Sequence, residues 1–188
     1  MSQTSIRQQA LERRNNLTSQ QVKEHSALVC EHISTLSCVA EAEHIAVYLS
    51  HHNEIDLTNF IKLAWEQHKH LYLPVCLSAS EPLRFVPYTH HTLLDTNQYG
   101  VREPQYTEEW ISPEQLDIAC VPLVAFDIKR NRIGMGKGFY DRTFAFRKLC
   151  PSPLLIGCAH ATQQVDSIEA NEWDIPLDML ITEHLTRD

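Results

Sequence analysis

From Asp117 to Phe126 the chain reads DIACVPLVAF, and after its first residue no charged or hydrogen-bonding side chain interrupts it. A half-exposed strand alternates apolar with polar residues. A run this continuous belongs to a strand covered on both faces, the situation of a mostly parallel sheet with helices packed on each side. Shorter β-prone runs at 45–49, 71–75, 83–86, 154–158 and 179–182 supply further strands, and prolines in or beside 71–75 and 83–86 limit their length or pairing.

Amphipathic stretches separate these runs. Residues 5–17 are charged and helix-prone. A second helix opens after Thr18, where Gln21 three residues on completes a capping-box signature. Its Val22, Val29, Ile33 and Leu36 share one face. Asp56 is placed to cap a helix carrying Leu57, Ile61 and Ala64, Pro104 and Pro113 bracket a loop or short helix, and residues 139–149 predict another helix. Strand and helix patterns in alternation predict an α/β fold: one three-layer α/β/α domain over residues 1–188, Rossmann-like, with a mostly parallel central sheet and additional N-terminal helices.

Composition narrows the function classes. The 188 residues are 43% hydrophobic and 21% charged, as in ordinary globular chains, and the net charge of −8 opposes bulk attraction to nucleic acid or anionic lipid. No run of 18 apolar residues occurs, and residues 1–9 lack the apolar stretch of a secretory signal, so a cytoplasmic protein without membrane or nucleic-acid partners is expected. Cysteines at 30, 38, 76, 120, 150 and 158 have no zinc-knuckle or thioredoxin spacing, and most are expected to be reduced core residues. The adjacent pairs His51-His52 and His90-His91 would point apart on a helix or strand and read as loop residues without shared metal geometry.

Three of the five glycines fall together, in Arg132-Ile133-Gly134-Met135-Gly136-Lys137-Gly138, between the buried run and the helix expected from Phe139. Alternating glycines let a backbone turn with its amides directed inward, and a helix N-terminus adds partial positive charge, which together suit phosphate. Residues 129–148 hold seven of the 16 Lys and Arg and the single acid Asp141, a charge of +6 that leaves −14 on the rest. The loop is neither a Walker motif nor a dinucleotide fingerprint, since Phe139 stands where the latter needs its last glycine. From residues alone, a glycine turn followed by a solvated basic helix and a phosphate or nucleotide site both stand.

The segment VPLVAFDIKRNRIGMGKGFYDRTF, residues 121–144, resembles the signature of the 5-formyltetrahydrofolate cyclo-ligases, the methenyltetrahydrofolate synthetases. Tyr48-Leu49-Ser50 with Glu54, Leu73-Pro74, Glu103-Pro104, residues 157–163, and Glu172-Trp173-Asp174-Ile175-Pro176 before Ile181-Thr182 agree in order and spacing, so the resemblance covers nearly the whole chain.

That resemblance implies an enzyme using ATP and Mg2+ to convert 5-formyltetrahydrofolate into 5,10-methenyltetrahydrofolate with release of ADP and phosphate. The formyl oxygen is phosphorylated first, and the neighbouring folate nitrogen then closes the ring. It implies ATP contacts from Arg7 and from Arg132, Ile133, Gly134, Met135, Gly136, Lys137, Gly138, Phe139 and Tyr140, with Arg132 and Lys137 neutralising phosphate charge in catalysis. Leu49, Glu54, Tyr99, Met135 and Phe139 would border the folate, and Asp141 and Asp174 would bind the magnesium, a hard cation suited by oxygen ligands. No cofactor beyond Mg2+ and no partner beyond folate and ATP is implied, and a monomer is expected.

Read without the resemblance, Asp141 is a helix N-terminal acid, Asp174 a cap or turn, Leu49 a buried strand residue, Glu54 a loop acid and Tyr99 surface packing. Two departures stand out. Many members carry Lys and then Arg four residues later on the N-terminal helix; Arg7 matches the second, but Gln3 stands at the first. Arg13 and Arg14 lie about 15 Å further along such a helix and cannot replace it. The usual Leu-Pro before the acidic turn is Ile168-Glu169. Two other functions compete: a nucleic-acid or folate-binding module using the +6 segment without turnover, and a different enzyme on a related α/β scaffold, such as a sugar-phosphate isomerase or CoA transferase.

Overall fold

The computed structural model describes residues 2–105, 108–184 and 186–187. The chain opens with helices α1 (Gln3–Asn15), α2 (Ser19–Ser34) and α3 (Ser37–Glu41). The predicted capping box starts α2: the Thr18 hydroxyl accepts from the Gln21 amide at 3.2 Å, and the Gln21 side-chain oxygen accepts from the Thr18 amide at 3.0 Å. Then come β1 (His44–Ala46), α4 (Thr58–Glu66), β2 (His70–Val75), β3 (Arg84–Pro87) and a hairpin of β4 (Leu94–Thr96) and β5 (Arg102–Pro104). Asp56 caps α4 by accepting from the Thr58 amide at 2.9 Å. The second half holds β6 (Ile118–Pro122), β7 (Ala125–Phe126), β8 (Arg132–Ile133), α5 (Phe139–Thr143), β9 (Leu154–Cys158), β10 (Met179–Ile181) and β11 (Thr186–Arg187).

The main sheet runs β11-β10-β9-β6-β1-β2-β3, with β10, β9, β6, β1 and β2 parallel and antiparallel strands at both edges. Counted in chain order, the parallel strands are arranged 2-1-3-4-5, a doubly wound pattern. Strand alternation assigns the two faces. Ile45, Leu71, Leu73, Ile118, Cys120 and Ile156 join the core formed with α2, α3 and α4. Ala46, Tyr72, Ala119, Val121, Leu155 and Leu180 join the opposite core, where Phe144, Phe126, Ile175 and Leu177 cover them. Neighbouring strands are in register for this division, with Ala46 beside Ala119 and Ala119 beside Leu155. Helix α1 packs Ile6 and Ala10 onto Val124, Ala125 and Ile133 of the small β7–β8 sheet.

Three predicted elements are shorter than expected. The strand read over 45–49 ends at Ala46, which leaves Leu49 in the segment beyond it, half-buried. The apolar run at 117–126 is not one strand: β6 ends at Pro122, and β7 pairs with β8 in a separate sheet. The Gln163 side-chain amide donates to the carbonyls of Leu123 (2.7 Å) and Val124 (2.9 Å), and Val124 N–H turns to Ile133 O at 2.7 Å, so the backbone leaves the sheet while remaining buried. Continuous apolarity here reports burial, not straightness. The helix expected over 139–149 ends at Thr143 and gives way to a 3-10 turn at Ala145–Lys148. Between them Phe144, fully buried with its ring centroid 6.0 Å from Phe85, leaves helical geometry.

Cys30, Cys120 and Cys158 are buried, Cys38 and Cys76 partly so, Cys150 is exposed, and all six are free thiols. Among the described residues no helix is long and apolar enough to cross a membrane.

Gly157, in β9, shows how tightly the second face is packed. A Cβ there would collide with Leu177 Cδ1 and stand 3.0 Å from Leu123 Cδ2. Gly157→Ala is therefore expected to cost about 1–3 kcal/mol by overpacking. Calorimetry should show the midpoint lowered by about 2–4 °C for each kcal/mol lost.

Candidate active site

The chain leaves β1 toward α4, on the face covered by α2, and leaves β6 toward α5, on the other. Because these strands are neighbours, neither connection covers their carboxyl ends, and doubly wound sheets open a crevice at such a point. A cleft of about 920 Å³ lies here, lined by the segment after β1, the Pro122–Val124 bend after β6, the glycine loop, and α1. Every residue singled out from the sequence as a site candidate borders it.

The glycine loop is carried by a turn built around Asp127, a buried carboxylate with no cationic partner among the described residues. It accepts from the amides of Lys129 and Asn131 (both 3.0 Å), from Asn131 Nδ2 (3.0 Å) and, across the chain, from Ile168 N (2.8 Å). Four donors replace the water that burial removed. From this turn β8 leads into the loop. Gly136 (φ +88°) and Gly138 (φ +65°) occupy left-handed backbone geometry that side chains with a Cβ rarely adopt. Gly134 differs, because a Cβ there would meet nothing within 4 Å.

Arg7 reaches from α1 to donate through Nε to the Gly134 carbonyl at 2.8 Å. Arg142 holds the Lys137 carbonyl at 2.7 Å, and the Lys137 side chain is exposed, with no hydrogen bond or ion pair at Nζ among the described residues. With five residues, α5 carries little macrodipole, so the positive field expected from a helix N-terminus comes instead from these side chains. Arg132 is committed: one Nη meets Asp141 Oδ1 at 2.8 Å, the other donates to the Ile175 carbonyl, and its side chain is only 6% exposed.

Asp141 Oδ1 also accepts from the Ile175 amide at 3.1 Å, which ties Asp141 to the residue beside Asp174. Asp174 closes its own turn by accepting from Asn171 N (2.8 Å) and Nδ2 (3.1 Å) at Oδ2. Each carboxylate so keeps one oxygen without a hydrogen-bond partner among the described residues, and both border the cleft. Hard oxygen donors of this kind fit a magnesium that completes its shell with phosphate and water.

The other end of the cleft is organised around Glu54. Its Oε2 accepts from the His51 amide at 3.0 Å, and Oε1 lies 3.5 Å from Arg14 Nη1. Burial raises the Glu54 carboxyl above the ordinary carboxylate range, while the His51 amide and Arg14 draw it back. Leu49 is half-buried beside it. Tyr99 sets its ring edge-on to Phe139, centroids 5.8 Å apart, so an aromatic wall spans the cleft between hairpin and loop. Burial, followed by the charge of Glu54, pushes the Tyr140 phenol well above its usual value. Met135 is 60% exposed at the rim, and Ile133 is buried against α1.

Arg14 lies outside the set of residues that the sequence singles out, yet it borders the cleft. Seven residues separate it from Arg7, about 10 Å along α1, and that spacing puts one arginine at each end of the cleft. Its amphipathic position on α1 was the available signal. His51 and His52 do lie in a loop, but a left-handed His52 (φ 52°) brings their rings to 3.9 Å. Gln3 borders the cleft and donates to the Glu169 carbonyl at 2.9 Å, tying α1 to the segment where the sequence departs from the resembled pattern.

The sequence matches the 5-formyltetrahydrofolate cyclo-ligase family over residues 1–183. The chain belongs to the 5-formyltetrahydrofolate cyclo-ligase family. The cyclo-ligase of Haemophilus influenzae is 38% identical over 179 residues, covering 94% of this chain and 95% of that protein, and that of Escherichia coli K12 is 36% identical over 175 residues, covering 91% and 94%. The solved 5,10-methenyltetrahydrofolate synthetase of Aquifex aeolicus superposes with a TM-score of 0.85 at 29% identity, covering 100% of this chain and 92% of that one. Membership of this cyclo-ligase family makes the chain an enzyme of the ligase class.

Asp127 is the keystone of the loop's support. Asp127→Ala would strand buried donors, so a loss of about 3 kcal/mol or more is expected in urea unfolding. Amides of residues 128–138 should exchange faster than those of β6 in the same variant.

Proposed function

We propose that the chain converts 5-formyltetrahydrofolate into 5,10-methenyltetrahydrofolate at the expense of ATP, releasing ADP and phosphate. The observation that supports this most is the two-ended cleft: a glycine loop with Lys137, unpaired at Nζ among the described residues, at one end, and a partly buried carboxylate beside Arg14 at the other. Its volume of about 920 Å³ lies in the range of small-molecule sites.

In the proposed reaction the formyl oxygen attacks the γ-phosphorus as the bond to ADP breaks. The folate nitrogen N10 then attacks the activated formyl carbon and gives up its proton, and the carbon–oxygen bond breaks with phosphate as the leaving group. A formyl oxygen leaves poorly by itself, and phosphorylation converts it into a good leaving group.

The protein's part is positioning and charge. Loop amides from Gly134 to Tyr140 cradle the phosphates, with Ile133 and Met135 in the same strand of contact. Lys137 and Arg7 supply charge, and Arg132, paired with Asp141 in the free chain, exchanges that carboxylate for phosphate oxygens. Asp141 and Asp174 would hold Mg2+, which when bound neutralises charge across the phosphates. On the folate side Glu54 accepts hydrogen bonds from ring nitrogens, while Leu49, Tyr99, Met135 and Phe139 form the apolar border. All these groups come from one chain, so a monomer suffices, and the proposed setting is cytoplasmic.

Mixing the purified protein with 5-formyltetrahydrofolate, ATP and Mg2+ should raise the near-ultraviolet absorbance of the methenyl product, and omission of ATP should abolish the rise. A rise that ignores ATP would overturn the proposal. Lys137→Ala should lower kcat by about 10²–10³-fold with the circular dichroism spectrum unchanged. Glu54 accepts with both oxygens, and most strongly, only when ionised, and its carboxyl is raised, so kcat/KM should fall with decreasing pH through an acid limb above the ordinary carboxylate range. Glu54→Gln should remove that limb and lower kcat/KM by about 10- to 100-fold at neutral pH.

A further inference from the structure

Away from the cleft, three side chains converge where the ends of β9 and β10 meet α2. His25 lies on α2, His160 follows β9, and Glu183 follows β10. One ligand atom from each lies within 4.8 Å of the others. His25 Nδ1 is 3.0 Å from His160 Nδ1 and 3.4 Å from Glu183 Oε1. Nitrogen and oxygen donors bound tetrahedrally to zinc at its usual bond lengths stand about 3.3–3.4 Å apart, so the cluster needs little adjustment to share an ion.

The hydrogen bonds around the cluster direct lone pairs of His160 and Glu183 at His25, whose Nδ1–H donates to them in the free chain and would give up its proton's place to an ion. His160 is fully buried, and its Nε2 is 3.0 Å from the Asn53 carbonyl, which can only accept. That bond places the ring proton on Nε2 and leaves Nδ1 bare toward His25, the arrangement by which metal-binding histidines are oriented. Burial also holds His160 down at about 4, so the ring is neutral at physiological pH. Glu183, with 4% of its side chain exposed, has one oxygen bonded to the Ala161 amide at 2.9 Å and the other facing His25. Its ion-pair partners among the described residues are imidazoles alone, His25 at 3.4 Å and the exposed His184 at 3.8 Å, and neither a Lys nor an Arg, although buried carboxylates ordinarily have a permanent cationic or metal partner.

We propose that His25, His160 and Glu183 form a binding site for a divalent transition ion of the zinc class, separate from the reaction cleft. Two imidazoles and a carboxylate select such an ion over magnesium or calcium. Water would complete the shell. The ion would fasten α2 to the ends of β9 and β10, and through the Nε2–H of His160 it would stiffen the backbone at Asn53, the residue before Glu54. Neither the site nor its test depends on the reaction proposed for the cleft.

Cobalt(II) titration of the metal-free protein tests this, because cobalt reports its ligands. Wild type should take up a single equivalent with visible d–d bands and without the near-ultraviolet charge-transfer band that thiolates give, which separates this site from the free cysteines. His25→Ala removes a partly exposed ligand, and Glu183→Gln keeps the side-chain shape; each should weaken uptake by about 10- to 100-fold or more. Zinc(II) should raise the wild-type melting midpoint and leave that of folded His25→Ala unmoved. Absence of stoichiometric uptake by folded wild type would overturn the site. Uptake with a thiolate band, or equal uptake by both variants, would do the same.

Discussion

The constraint on which the site depends is the reversal of strand order between β1 and β6. Two parallel neighbours hydrogen-bond as Ile45–Ile118 and Ala46–Ala119, yet their outgoing chains cross to opposite faces. Helices can cover the faces of such a sheet but not the gap between the diverging connections. What lines the gap is therefore loop, and each loop must be made rigid by other means. Asp127 does this with four accepted hydrogen bonds, Gln163 by clamping the Leu123 and Val124 carbonyls, and Glu54 by accepting from its own loop at His51.

Charge is distributed along the cleft by burial. Arg14 and Arg132 are nearly dry and each faces a carboxylate, so in the free chain neither stands as an uncompensated charge. Lys137 is exposed and unpaired at Nζ among the described residues, which leaves water to solvate it until an anion arrives. Arg7 lies between these cases, with Nε spent on Gly134 and the rest of its guanidinium beside Gly136. A cluster arranged in this way holds its shape when empty and still offers positive charge at the loop.

Much of this was legible in the sequence because it is local. The Thr18–Gln21 box, the strands at 71–75 and 154–158, and the glycine triple each depend on residues a few positions apart. What escaped depends on distant partners. Gln163 holds the Leu123 carbonyl, just past the end of β6, from 40 residues away, and the apolar run gave no sign of the bend. The β4–β5 hairpin rests on Asn97, whose side chain accepts from Tyr99 N at 2.9 Å and Val101 N at 3.1 Å, in a stretch too polar to read as strand. His25 and His160 stand 135 positions apart, so no ligand spacing could reveal them.

The three loop glycines illustrate how one motif records two kinds of constraint. At Gly136 and Gly138 the backbone itself excludes other residues, since both have positive φ. At Gly134 the backbone is unremarkable in sign and a Cβ would meet nothing within 4 Å among the described residues. Among the described residues no close contact accounts for a glycine there. Its carbonyl is already held by Arg7, and its open side faces the cleft. A glycine there keeps that open side clear, as the close approach proposed for the phosphates requires. Gly134 thus leaves room on the loop for the phosphates proposed to bind there, beside Lys137, whose Nζ has no partner among the described residues.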